Sequence, residues 1–376
     1  MSERVARAAL SRLSEPGDVR LTTLVGRLGA NRVYELLRDE QDVAGVYTDV
    51  AARLRGLDPA RELADAAGKG IRFVCPEDDE WPRDLDDLDR AEPLQERGGA
   101  PLGLWVKGPR RLDEVCRSAA AVVGSRSATT YGAAVASDLA AHLAEHGVCV
   151  VSGAAFGIDQ AAHRGALAVK GLTVAVLACG VDRAYPSAHR GLLEYIAETG
   201  LVVSELPPGC APTRVRFLSR NRLIAALARG TVVVEAAVRS GALNTANWTT
   251  RLNRVLMGVP GPVTSAPSQG VHELIRARGA ALVTRGEDVL ELLAPSGSFL
   301  AEVPRAPMLV TDRLDDRERR VLDAVPVTRP AGEDSIARTA GVGEPDVRAA
   351  MERLSGLGLV EQTSVGWLRT GQTIQR

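Results

Sequence analysis

Eight arginines (Arg214, Arg216, Arg220, Arg222, Arg229, Arg239, Arg251 and Arg254) lie between Pro207 and Gly258 against one acid, Glu235, in a chain whose net charge is only −1. Four of them fall in the string Arg214-Val-Arg-Phe-Leu-Ser-Arg-Asn-Arg222. A guanidinium presents a planar fork of donors that matches phosphate oxygens two at a time. So concentrated a positive stripe on a neutral background is the footprint expected for a polyanion, above all a nucleic acid. A solvated helix face is the commoner fate of charge runs, but this segment carries almost no carboxylates of its own to neutralise it.

Other residues invite chemistry less strongly. Val122-Val-Gly124-Ser125-Arg126-Ser127 reads as a strand ending in a small-residue turn, where the backbone can approach an anion, the following helix offers free N–H groups and Arg126 adds a fork. It lacks the second and third glycines of a dinucleotide fingerprint and the lysine of a phosphate-binding P-loop. Asp159 and His163 in Ser152-Gly-Ala-Ala-Phe-Gly157-Ile-Asp-Gln-Ala-Ala-His163 share a helical face as an acid and a base. With no nucleophile placed beside them, a structural hydrogen bond is the plainer reading. Asp159 is placed to orient the backbone at the helix start. Cys179, in Cys179-Gly-Val-Asp-Arg-Ala-Tyr-Pro186, reads as a small buried residue. The five cysteines are odd in number and show no Cys-x-x-Cys pair, so neither a disulfide framework nor a zinc site is suggested and no cofactor or metal is expected.

The elements that would position these residues follow from the hydrophobic rhythm. Residues 1–65 carry apolar positions at helical spacing, in Leu21–Gly29 and Val33–Leu37, and read either as a small helical module of SAM or helix-hairpin-helix type or as a packing extension. Residues 66–109 are connector, with turn residues at Asp78–Pro82 and an edge strand at Leu102–Val106. Beyond residue 118, apolar β-branched runs recur at Ala119–Val123, Val148–Ser152, Thr173–Ala178, Leu201–Leu206, Thr231–Glu235, Val255–Val259 and Ala281–Thr284, with helical stretches between. Continuously apolar strands are buried on both faces, so residues 66–293 are expected to form a doubly wound, mostly parallel α/β sheet. Residues 294–307 are a Pro/Ser-rich linker. Residues 308–376 then give three helices and a terminal hairpin, the pattern of a winged helix. At 45% apolar and 25% charged the composition is that of ordinary globular protein. The absence of an apolar leader core or a bilayer-length run points to the cytoplasm.

Seven strings in order carry a resemblance. They are Val123-Gly-Ser-Arg126, Ser152-Gly-x-x-x-Gly-Ile-Asp-x-x-Ala-His163, Gly180-Val-Asp with Tyr185-Pro186, Ser204-Glu205 with Pro208-Gly209, Arg220-Asn-Arg222-Leu-Ile224, Val234-Glu-Ala236 with Ser240-Gly-Ala-Leu243, and Val259-Pro-Gly261. Together they make the chain resemble the DNA-processing protein A (DprA/Smf) family over roughly residues 65–293, and the helical N-terminal region and winged-helix tail resemble accessories of that family. The resemblance implies an extended Rossmann-like domain that binds single-stranded DNA without turnover, protects incoming DNA in natural transformation or serves general recombination, helps load a RecA-class recombinase and acts as a homodimer. It implies a DNA-binding set of Gly124, Ser125, Arg126, Arg216, Arg220 and Arg222.

The chain departs from the family pattern in places. Leu218 replaces a usual proline, Gly270-Val-His-Glu stands for the common Gly-Thr-Asn, and Phe156 replaces a frequent basic residue, leaving it either to stack on a base or to pack. Since single-strand binders ordinarily stack bases on aromatics and only 3% of this chain is Phe, Trp or Tyr, phosphate contacts are expected to dominate. Two other classes compete. One is a nucleotide-processing enzyme of the lysine-decarboxylase-like (LOG) type, whose Pro-Gly-Gly-x-Gly-Thr loop is absent at Glu235-Ala-Ala-Val-Arg-Ser-Gly241. The other is a transcription regulator acting through the winged helix.

Overall fold

The computed structural model describes residues 1–39, 57–295, 299 and 309–370. Two compact units divide the chain, Met1–Ala301 and Glu302–Arg376. Most of the expected linker lies outside the described residues.

The first unit is built on a nine-stranded sheet: β1 (Ile71–Val74), β2 (Leu104–Lys107), β3 (Ala119–Val123), β4 (Cys149–Ser152), β5 (Thr173–Leu177), β6 (Leu201–Ser204), β7 (Gly230–Val233), β8 (Val255–Gly258) and β9 (Ala281–Leu282). Their spatial order is β1-β2-β6-β5-β4-β3-β7-β8-β9. From β6 to β9 all neighbours are parallel, while β2 runs antiparallel to both β6 and β1. The expected strands are all present. The correction concerns the connector: β2 is an interior strand, and the edge belongs to β1, whose short Ile-Arg-Phe-Val run is lost among turn residues.

Helices cover both faces because each strand buries alternate residues on opposite sides. Ala119, Ala121 and Val123 of β3 join one core, with α9 (Arg214–Ala226), α10 (Ala242–Arg251) and α11 (Ala266–Arg278). Ala120 and Val122 join the other, with α6 (Thr130–Glu145), α7 (Ile158–Ala168) and α12 (Gly286–Leu293). The remaining helices of this unit are α4 (Pro59–Ala67), α5 (Leu112–Cys116) and α8 (Arg190–Thr199). The chain winds from β3 toward β6 in one direction and from β7 toward β9 in the other. That reversal leaves a crevice outside the carboxyl ends of β3 and β7, where open α/β sheets bind ligands.

The N-terminal helices α1 (Glu3–Leu13), α2 (Val19–Leu28) and α3 (Ala30–Arg38) enclose a small core of their own around Leu10, Leu13, Val33 and Leu37. Glu3 closes the bundle by accepting from the free N–H groups of Ala30 and Asn31 at the start of α3, 2.6 and 3.1 Å away. The bundle is tied to the sheet domain through arginine. Arg12 pairs with Glu62 and donates to the Pro208 carbonyl at 2.8 Å, and Arg4 donates to the Phe73 carbonyl at 2.6 Å. Residues 1–39 therefore sit within the same compact unit as the sheet.

In the second unit, α13 (Asp316–Ala324), α14 (Glu333–Ala340) and α15 (Glu344–Gly356) precede an antiparallel hairpin of β10 (Val360–Thr363) and β11 (Gly366–Arg369). Val321, Ile336, Val347, Met351, Leu354 and Trp367 form its core. Asp315 and Glu318 cap α13 reciprocally.

Candidate nucleic-acid interface

A cleft of about 1050 Å³ lies over the crevice between β3 and β7. Its walls come from the turn after β3 (Gly124–Ser127), the first two turns of α9, the loop after β7 (Ala237–Gly241) and the end of α11. Among the described residues five arginines line it, Arg126, Arg214, Arg220, Arg239 and Arg278, against a single acid, Asp159.

The turn after β3 is built by close packing. A Cβ on Gly124 would stand 2.5 Å from Ile158 and 2.8 Å from the Glu235 carbonyl, so only glycine lets the turn lie this low. The Ser125 N–H donates to the Glu235 carbonyl at 2.7 Å, and the Ser125 carbonyl accepts from Ile158 at 3.1 Å. Arg126 projects outward, its guanidinium carbon 4.7 Å from the centre of the Phe217 ring. One expectation for this turn needs correction. The start of α6 is not left free for an anion, because Thr129 caps it at Gly132 N–H and the buried Glu235 carboxylate accepts from both the N–H and the hydroxyl of Thr129.

Arg220 is the unusual member of the cleft. It is 6% exposed, yet Nε and Nη1 have no hydrogen-bond partner among the described residues. Its guanidinium lies over Gly153, where a Cβ would fall 1.3 Å from Nη1, and its central carbon is 5.9 Å from the Phe217 ring centre. Asp159 faces it but is held by the N–H groups of Gly153 and Ala155, at 3.2 and 3.4 Å. Burial lowers the Arg220 pKa, opposed by Asp159 and reinforced by Arg126. Burial raises that of Asp159, opposed chiefly by Arg220. In a directly bonded pair attraction would move both groups the other way, so here desolvation dominates and the cation is left underpaired.

The expected residues therefore separate. Gly124, Ser125, Arg126 and Arg220 line one cleft, but Arg222 does not reach it. Arg222 is fully buried and forks onto Glu205 with two 2.7 Å bonds, with further donation to the Gly99 and Ser219 carbonyls. Arg216 forks onto Glu15 just past α1, at 2.9 and 2.7 Å, and donates to the Ala211 carbonyl. Arg251 and Arg254 likewise meet acids of the connector, Glu92, Asp84 and Asp87. Four of the eight arginines are thus neutralised by acids that lie outside their own stretch of sequence.

Sequence reasoning missed Arg239 and Arg214 as cleft residues within the stripe, and Arg278, which arrives from α11 and donates to Asn247. It also missed an aromatic cluster: Tyr185 lies tilted against Phe217, 5.5 Å between ring centres, inside the cleft. The low aromatic content of the whole chain conceals this local concentration.

Asp159 and His163 do not form an acid–base pair. His163 donates from Nδ1 to the Thr173 hydroxyl at 2.7 Å, and that hydroxyl donates onward to the Val150 carbonyl. Cys179 is buried, which pushes its thiol up to about 11. Among the described residues no cluster of three or more His, Cys, Asp or Glu could hold a metal ion, and no helix is long and apolar enough to cross a membrane.

A family model described as DNA recombination-mediator protein A matches residues 72–294. A DNA processing protein DprA of Mycobacterium tuberculosis is 46% identical over 371 residues, covering 97% of this chain and 94% of that protein. The X-ray structure of DNA processing protein A from Streptococcus pneumoniae superposes with a TM-score of 0.63 at 33% identity, over 77% of this chain and 97% of that one. DNA processing protein A from Helicobacter pylori, whose structure was solved for its single-stranded DNA binding mode, matches at a TM-score of 0.50 and 26% identity, over 59% of this chain and 95% of that one. With the sheet order, the cleft at the strand reversal and these matches in hand, the chain belongs to the DNA recombination-mediator protein A family.

Proposed function

We propose that this protein binds single-stranded DNA in the arginine cleft and acts as a recombination mediator. The observation that carries the reading is Arg220, a guanidinium nine-tenths buried with two unmatched donors beneath an exposed Arg126. A buried cation with no partner is costly, and the matching group is an anion from outside the chain. Arg126, Arg214, Arg239 and Arg278 line the same cleft and add further guanidinium forks for phosphate. The DNA-contacting set is then Gly124, Ser125, Arg126, Arg214, Arg220 and Arg239, while Arg222 serves the fold and Arg216 anchors the N-terminal bundle.

A binder is favoured over an enzyme because Asp159 and His163, the acid and base that share a helical face in the sequence, are each engaged in structural bonds. A nucleotide hydrolysis assay separates this reading from the LOG-type alternative. Family membership supports three further readings: loading of a RecA-class recombinase, a homodimer formed through the sheet domain, and action in the cytoplasm on incoming or recombining DNA. Three helices and a terminal hairpin support a winged helix in residues 308–376. Light scattering on residues 1–301 should give a dimer mass, and a monomer there would move the interface to the C-terminal unit.

The central test is fluorescence anisotropy with matched single and double strands at several salt concentrations. Single strands should bind more tightly, with an affinity that falls as salt rises. Equal affinity for both forms, or none for either, would reject the reading.

A further inference from the structure

Beside the cleft, and sharing Arg126, Tyr185 and Phe217 with it, is a second pocket of about 320 Å³ that also takes in Phe156 and Pro186. Among the described residues its lining contains no acid, and Arg126 is its only charged residue. The chain has only four phenylalanines and five tyrosines, yet three of those nine meet here. Two are conspicuously open to solvent: Phe156 is 46% and Tyr185 43% exposed.

The exposure of Phe156 is constructed. Ala154 is fully buried in the left-handed region, at φ 53°, a conformation that costs a residue with a Cβ about 1 kcal/mol or more and persists only where its surroundings hold it. His189 supplies the hold. A carbonyl can only accept, so His189 Nδ1 carries a proton and donates it to the Ala154 carbonyl at 2.9 Å. The same imidazole meets the Phe156 ring nearly at right angles, 4.6 Å between centres, the favoured edge-to-face geometry. One buried histidine thus fixes both the turn and the ring that the turn carries outward.

We infer that Phe156 and Tyr185 form a nucleobase-stacking pocket, which takes one base of a single strand whose adjoining phosphate sits on Arg126. This rests on the single-strand reading proposed above and adds to it a subsite that reads the flat face of a base. Every base has such a face, so the pocket is tolerant of sequence while rejecting a duplex, in which the bases are already stacked.

The test uses the full chain and two strands of equal length, an oligo(dT) and an abasic oligomer that keeps the sugar–phosphate backbone. Phe156→Ala and Phe156→Leu should weaken oligo(dT) binding by roughly tenfold, within the range for loss of one stacked base, and leave abasic binding unchanged. Phe156→Trp should keep the oligo(dT) affinity. Equal losses on both strands, or no loss on oligo(dT), overturn the inference while the arginine cleft stands. A parent protein that binds neither strand overturns the single-strand reading and this subsite with it.

Discussion

Arg220 and Arg222 stand two residues apart on one helix and do opposite things. Arg222 is buried with Glu205 and two carbonyls matched to its donors. Arg220 is buried with donors unmatched. Arg222→Met strands the Glu205 carboxylate and should destabilise the fold by about 3–5 kcal/mol, the usual cost of breaking a buried pair. Arg220→Met removes an underpaired charge but leaves the buried Asp159 without the cation that chiefly opposes its desolvation, so its melting temperature should fall by less than that of Arg222→Met. Yet it should lose about 1.5–3 kcal/mol of single-strand affinity, as should Arg126→Ala, each with a salt slope shallower by about 0.7. Thermal unfolding and anisotropy on the same preparations check both differences. Sequence alone could not separate the two arginines, since Glu205 belongs to a different strand end and the donors' surroundings exist only after folding. The Glu15–Arg216 pair was equally invisible, its partners being far apart along the chain.

At the scale of elements, the seven parallel strands were legible because their apolar runs are continuous. β1 was not, because four residues with an arginine inside them carry too little pattern. α7 and β5 are joined by the His163–Thr173 bond, and this seam has a pH signature. Burial holds His163 down, from 6.5 to about 3. The folded pKa of this base is below its unfolded value, so between the two the unfolded chain binds a proton that the native one refuses. The associated stability is fully present above pH 6.5 and falls as pH drops toward 3, by at most about 1.4 kcal/mol per pH unit. Urea unfolding at pH 7.5 and 5 should differ by about 2 kcal/mol from this group. In His163→Asn, which keeps a donor for Thr173 but cannot titrate, that share of the difference should vanish.

For the whole molecule, the C-terminal unit is expected to contribute little to strand affinity. From Asp312 to Arg369 it has 11 acidic and 9 basic residues. On α15, Arg348 and Arg353 are already paired with Glu333 and Glu318, while Glu344 and Asp346 occupy the helix start. A chain ending at residue 301 should keep its single-strand affinity within about tenfold, or 1.4 kcal/mol. A larger loss in the titration would place a DNA contact in the tail. The absorption of the N-terminal helices into the sheet domain was not settled by the sequence, because it depends on arginine bonds such as Arg12 to Glu62 and to the Pro208 carbonyl.

The carboxylate of Glu235, seated at the start of α6, has a consequence for competition in the cell. On many sheets of this kind that helix start is where a free nucleotide docks its phosphates. Here the chain has filled the berth with its own negative charge, so a mononucleotide meets scattered arginines and no cradle. A single strand held as proposed would engage several of those arginines at once, each phosphate tethered at high effective concentration by its neighbour. Discrimination between strand and monomer would then rest on valency, and free mononucleotides should compete poorly for the cleft.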